Sequence, residues 1–89
     1  MALIDSTTLI KVAAQGDPVK MVLWITRDIS SGDTIDVSAE FGTVRAATVL
    51  TVTNQAAAGC TVADAHTLAV PSVVGQHDTG WVTAWGSAK

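Results

Sequence analysis

Charged side chains are scarce in this 89-residue sequence, where Asp, Glu, Lys and Arg together make up 15% of the residues. An ordinary soluble domain has about 25%. Hydrophobic residues make up 48%, and a chain this short buries only about 60–65% of its unfolded surface on folding. The surface is therefore large and has few charged groups, and such a surface favours association. A Thr- and Ser-rich β protein that stays monomeric is one interpretation. We favour the other, in which copies of the protein or a larger assembly cover part of the surface.

Positive charge is also sparse and dispersed, because the five basic residues are spread along the chain as Lys11, Lys20, Arg27, Arg45 and Lys89. Phosphate recognition needs a concentrated positive field, so we expect no nucleic-acid partner. No basic amphipathic stretch and no run of eighteen apolar residues is present, and we expect no membrane partner. The first residues, MALIDSTTLIK, have Asp5 and Lys11 where the hydrophobic region of a secretory signal would be apolar, so we expect no cleaved signal. We therefore expect a protein that stays in the cytoplasm or leaves it without a cleaved signal.

Cysteine is limited to Cys60, so no disulfide can form within one chain. Cys60, His66, His77 and Asp78 carry atoms that bind zinc, but their spacing matches no compact ligand pattern. Nothing in the sequence marks a low-pKa thiol or an oxyanion donor beside it. We predict no metal, no cofactor and no catalytic residue, and hence a protein that is not an enzyme.

The residues that are abundant form alternating β-branched and apolar runs. Val19–Arg27 is apolar on both faces, which predicts a strand buried on both sides. Asp33–Ser38 is apolar on one face only, as expected near an edge, and Thr43–Thr53 is long enough to cross a small domain. The intervening turn, residues 30–33, resembles a hairpin loop with Gly32 at a positive-φ position.

These runs predict an all-β fold, in which residues 1–89 form a single-domain antiparallel β-sandwich or small barrel of about seven strands. Residues 1–6 are predicted to be a short N-terminal arm. We interpret Gln55–Gly59 and Gly75–Gly80 as loops, and no stretch predicts a helix of ten residues. The predicted strands are Thr7–Ala13, Val19–Arg27, Asp33–Ser38, Thr43–Thr53, Cys60–Ala63, His66–Val70 and Trp81–Trp85.

The aromatic set is unusual, with three Trp, one Phe and no Tyr. Trp24 lies in the most apolar run, which predicts a core residue. On a strand, Trp81 and Trp85 share a face with Thr83, while Val82 and Ala84 point the other way. Two arrangements stay open. Either the two indole rings stand outside, as at the centre of a binding interface, or they form part of the core and Val82 is exposed.

The segments GDTIDVS (32–38) and GTVRAATVLTVTN (42–54), an apolar strand before them, and a small-residue loop and short strand after them span Lys20 to Gly86. This pattern resembles small β-rich virion proteins of tailed bacteriophages, in particular capsid decoration or cement proteins. The resemblance implies a non-enzymatic protein that binds the outside of a shell of major capsid protein, often as an oligomer, and stabilises it. It also implies assembly in the host cytoplasm and a final location on the capsid surface of the virion.

We expect the contacts with the major capsid protein and with copies of this chain to lie at or near Leu3, Ile4, Trp81, Thr83 and Trp85. The alternative is a small glycan-binding or adhesion β-module that uses Trp81 and Trp85. An unrecognised small enzyme also stays open, and it would require acidic or His residues to converge in one pocket.

Overall fold

The computed structural model describes residues 3–15, 19–52, 55, 57–72 and 74–89. Almost all of this part of the chain is β structure, with one short 3-10 turn at Ser6–Thr8. The strands are β1 (Leu3–Asp5), β2 (Ile10–Gln15), β3 (Val19–Ile29), β4 (Thr34–Asp36), β5 (Phe41–Thr51), β6 (Ala57–Asp64), β7 (Thr67–Ala69) and β8 (Asp78–Ala88).

The eight strands form one sheet in the order β1-β4-β7-β6-β5-β8-β3-β2. The sheet curls into a half-barrel. Neighbouring strands are antiparallel except for β1 and β4, which are parallel. The predicted all-β class is confirmed, and the additional strand relative to the prediction is β1, formed by residues of the predicted N-terminal arm.

The core lies on the concave side of the sheet. Trp24 is 1% exposed, as predicted for a core residue. Its ring and that of Phe41 are in a T-shaped arrangement, with centroids 6.4 Å apart, a favoured aromatic geometry. Because side chains alternate along β3, Val22 and Trp24 enter this core while Leu23 between them does not. The other buried apolar residues include Ile29, Ile35, Val37, Val44, Val49, Leu68, Val74, Val82 and Ala84.

The predicted hairpin at residues 30–33 is wrong in its pairing. Gly32 does adopt a positive φ of 85° in a tight turn. However, β3 pairs with β2 and β8, while β4 pairs with β1 and β7. Two backbone N–H groups of the turn bond to residues distant in sequence, since Ser31 N donates to Gly75 O and Gly32 N donates to Val70 O. These bonds direct β4 towards the short-strand end of the sheet.

Two predicted loops are partly strand. Ala57–Gly59 belongs to β6, because these residues pair with residues 48–50 of β5, and the extended ladder outweighs the helix propensity of alanine. Asp78–Gly80 begins β8, where Gly80 pairs with both Thr26 and Thr51. The interpretation of Gln55–Gly59 as a loop also covers residue 56, which lies outside the described residues.

Candidate interaction face

The central strand β8 has two unlike faces. Val82 and Ala84 are fully buried on the concave side. Trp81 is on the opposite, convex side and is 39% exposed, and Thr83 and Trp85 beside it are half-buried. Of the two arrangements that the sequence leaves open, the structure has the one with both indole rings on the outside.

Glycines at the two ends of β8 explain this orientation. Gly80 and Gly86 are on the same concave side as Val82 and Ala84. A β-carbon at Gly86 would meet the carbonyl oxygen of Thr43 and lie 2.8 Å from the Cα of Val44. At Gly80 it would lie 3.0 Å from the nearest side-chain atom. Together with Val82 and Ala84, these two closely packed glycines limit side-chain size on the concave side of β8, which favours the outward orientation of the two Trp side chains.

Cross-strand pairing surrounds the two Trp side chains with residues of β3 and β5. Trp81 is opposite Ile25 on one side and Leu50 on the other. Side chains directly opposite each other lie on the same face of a sheet and are in contact range. We call the resulting surface the outer face, and define it as Met21, Leu23, Ile25, Ala46, Thr48, Leu50, Trp81, Thr83 and Trp85.

The outer face carries no charged residue. Leu50 is 52% exposed, and Ile10 of β2 extends the apolar surface sideways because it pairs with Ile25 and is also 52% exposed. Aromatic residues and Met are enriched at the centres of protein interfaces, while Lys, Glu and Asp are depleted. The composition of the outer face is therefore that of an interface centre.

The structure does not bring all the predicted contact residues together. Trp81, Thr83 and Trp85 are on one face of β8, but Leu3 and Ile4 are on β1, at the far end of the sheet order. Leu3 is 70% exposed, whereas Ile4 packs against the core.

Sequence reasoning missed four large apolar outer-face residues on the neighbouring strands, namely Met21, Leu23, Ile25 and Leu50. Three of them are on β3, where the sequence predicts burial on both sides. That prediction is wrong, because these three side chains are only half-buried. Their signal was present in the sequence. A strand that is apolar on both faces needs a cover over each face, and the described part of the chain covers only one.

Among the residues that the structure describes, those with chemically reactive groups do not converge. Burial raises the pKa of the Cys60 thiol to about 11, so the thiol stays protonated and is a poor nucleophile at neutral pH. His77 Nδ1 is 2.7 Å from Asp28 Oδ1, but the two side chains are 78% and 72% exposed. Asp78, in contrast, is buried at the start of β8. In the described part of the chain, no three His, Cys, Asp or Glu residues are grouped closely enough to hold a metal ion.

Comparison of the chain with protein-family models, with curated proteins and with solved structures gave no significant match. Within the described residues, no helix has the length and apolar character needed to cross a membrane.

Proposed function

We propose that this protein is a non-enzymatic structural protein that binds the outer surface of a capsid shell through its outer face and stabilises the shell, as a cement or decoration protein does. The observation that carries the proposal is the uncharged apolar outer face around Trp81 and Trp85. A partner that covers these nine residues buries mainly apolar area and desolvates no charge within the face, which exposed Arg27 and Arg45 border on β3 and β5. The partners in this proposal are the major capsid protein and copies of this chain, on a virion assembled in the host cytoplasm.

The size of the outer face fits binding in many copies. Three strands about 4.8 Å apart, over about five residues of each strand, present on the order of 250 Å². Its burial would contribute roughly 6 kcal/mol before costs, and association costs about 4–15 kcal/mol. One subunit would therefore bind weakly. Subunits held together as an oligomer or on a lattice gain avidity, which supports the proposal of an oligomer or lattice-bound protein.

The cross-strand neighbours favour a protein partner over the glycan alternative. Trp81 is flanked by Ile25 and Leu50, and Trp85 is flanked by Met21 and Ala46. A sugar ring stacked on either indole would find no amide or carboxylate among these neighbouring side chains to bond its hydroxyl groups. A glycan binder should also show sugar-dependent quenching of Trp fluorescence, and we expect none.

The test is a thermal melt of capsid shells that lack decoration, with and without added protein. We expect the wild-type protein to raise the melting temperature of the shells. Leu50→Lys, which places an unpaired charge in the outer face, should reduce binding at least tenfold because that charge would be desolvated. The matched control is Ser72→Lys, since Ser72 is exposed in a turn and is not on any of the three strands that form the outer face.

The control variant should protect the shells as well as the wild-type protein does. Equal protection by both variants would show that the outer face is not the binding surface. The shells must be built from the major capsid protein that occurs together with this chain. If the wild-type protein did not protect these shells, the proposed function itself would be contradicted.

A further inference from the structure

A groove of about 290 Å³ lies where β2 begins, beside the outer face. It results from a step in the edge of the sheet. The first residue of β2, Ile10, pairs with Ile25, and the chain just before it forms the 3-10 turn, while β3 continues to Ile29. The end of β3 therefore extends beyond the edge strand. The residues that line the groove are Thr8, Leu9, Ile10, Ile25, Thr26 and Arg27.

The groove is apolar along one side and open to solvent. Ile10 is 52% exposed, and Leu9 and Ile25 are half-buried. Because Ile25 is opposite Trp81 of β8, the groove continues the outer face without a break. A cavity of about 150 Å³ holds benzene, so 290 Å³ has room for a side chain of the size of Leu and for a polar group beside it.

A β-bulge places a charge at this groove. The register of β3 against β8 shifts between Thr26 and Ile29, and Arg27 and Asp28 are both exposed between these buried neighbours. Bulges commonly redirect side chains, and here the two side chains line different hollows. Asp28 Oδ1 lies 2.7 Å from His77 Nδ1 in the second hollow. Arg27 lines the groove and forms no ion pair or hydrogen bond within the described residues.

An unpaired guanidinium group beside an apolar groove suits a carboxylate that adjoins an apolar side chain. Arg binds a carboxylate through two parallel N–H···O hydrogen bonds. A single arginine does not suit a polyanion, because phosphate backbones need a concentrated positive field and this chain has a net charge of -3. The chemistry of the groove therefore favours a protein segment with one acidic residue.

We propose that the groove is a docking site for a segment of the shell subunit in which an apolar residue lies next to an Asp or Glu. The apolar side chain packs against Ile10 and Ile25, and the carboxylate pairs with Arg27. This proposal rests on the proposed function, because it takes the shell subunit as the partner. A subunit that covers the outer face also reaches the groove, since the two surfaces share Ile25.

The first test is a titration of the ¹⁵N-labelled full chain with N-acetyl-Leu-Glu amide, and separately with N-acetyl-Leu-Gln amide, which has a similar shape but no carboxylate. We expect the acidic probe to shift the amides of Ile10, Ile25 and Arg27 in a saturable way. It should bind about fivefold tighter than the uncharged probe, which is the gain expected from one partly exposed charge pair. Arg27→Gln should remove this preference.

Arg45→Gln is the matched control, because Arg45 is also an exposed arginine at a β-bulge beside the outer face but does not line the groove. This variant should keep the preference for the acidic probe. Ile10→Thr retains a β-branched side chain at a half-exposed position of β2, and it should weaken the binding of both probes. If neither probe causes a saturable shift in the wild-type protein, or if both bind equally well, the inference is wrong.

Binding to undecorated shells separates this inference from the proposed function. Arg27→Gln should weaken shell binding about fivefold, and Arg45→Gln should stay within about twofold of the wild-type protein. If the wild-type protein protects the shells and both variants bind them equally well, the groove is not a docking site for the shell subunit, and the proposed function stands. If the wild-type protein does not bind the shells, the proposed function and its shell partner fail together, while the peptide titration still decides whether the groove recognises an apolar and acidic pair.

Discussion

The two faces of β8 are both apolar, yet only one is buried in the core. The concave face has Val82 and Ala84 between two glycines, and the convex face has Trp81 and Trp85. By hydropathy or area, the larger aromatic side chains would gain more from burial. Close packing on the concave side opposes this, because a β-carbon at Gly86 would collide with the backbone of β5.

The two faces therefore contribute to different properties, the concave face to the stability of the fold and the outer face to association. Residues on the concave face hold the fold together, and close packing makes that face sensitive to small changes in volume. Residues on the outer face are more accessible to solvent in the single chain, so changes there should affect binding much more than stability. Substitutions on the two faces, and among the residues that border them, therefore test whether the faces differ in this way.

The largest expected effect is at the closest approach on the concave face. Gly86→Ala places a β-carbon 2.8 Å from the Cα of Val44 and against the backbone carbonyl of Thr43. Backbone atoms cannot rotate away, so we expect a loss of about 3 kcal/mol in the free energy of unfolding. Urea denaturation followed by circular dichroism measures it.

The same substitution at Gly59 is the control. A β-carbon there would have Ala47 O at 3.8 Å as its nearest neighbour, which is an ordinary contact, so the change in the free energy of unfolding should stay within about 0.5 kcal/mol. Equal stability of Gly86→Ala and Gly59→Ala would contradict the steric reason for the outward Trp side chains.

A reciprocal pair of substitutions at adjacent positions should show a smaller effect. Val82→Thr buries a hydroxyl group at a fully buried position, and we expect it to lower the free energy of unfolding by about 2 kcal/mol. Thr83→Val makes the inverse change on the outer face and should stay within about 0.5 kcal/mol of the wild-type protein. Similar losses for both variants, measured by thermal or urea unfolding, would mean that the two faces do not differ in burial.

Much of the fold is predictable from residue type and alternation. β-branched runs locate the long strands, and Trp24 is assigned to the core because it lies in the most apolar run. The strand neighbours are not predictable in this way. Residues 30–33 have the composition of a hairpin turn, but the pairing of β4 depends on backbone bonds to Gly75 and Val70, which are distant in sequence.

The candidate site is predictable in part, and the orientation of the Trp side chains has a local signal. Gly80 and Gly86 have the same parity as Val82 and Ala84, so four small residues mark one face of the strand. The remaining outer-face residues come from β3 and β5, which flank β8 only in the folded sheet. Local sequence cannot indicate that juxtaposition, because it depends on the long-range order of the strands.

The charges on the concave side give the next prediction. Burial opposes ionisation of Glu40, but the hydrogen bonds and charges of Lys11 and Lys20 outweigh it and hold the pKa of Glu40 below its ordinary value of 4.5. The ionised form therefore stabilises the fold above about pH 4.5, and this contribution is lost as the pH falls through the lowered pKa.

Glu40→Gln should lower the free energy of unfolding by about 1 kcal/mol at pH 7, a modest loss because solvent screens the half-exposed Lys11. The difference between the variant and the wild-type protein should disappear on acidification, as measured by urea unfolding between pH 7 and pH 3. A difference that stays constant over this range would show that the two lysine contacts do not depend on the charge of Glu40.

The smallest effect on stability is expected at Leu50. This side chain is 52% exposed on the outer face, so Leu50→Lys removes little buried area, and the lysine stem can lie along the neighbouring apolar surface. The free energy of unfolding should change by no more than about 0.5 kcal/mol, while the binding of a hydrophobic dye such as ANS should fall because a charge interrupts the apolar surface. A large loss of stability would mean that Leu50 belongs to the packing of the fold. The outer face would then be a second core surface and not a surface that awaits a partner.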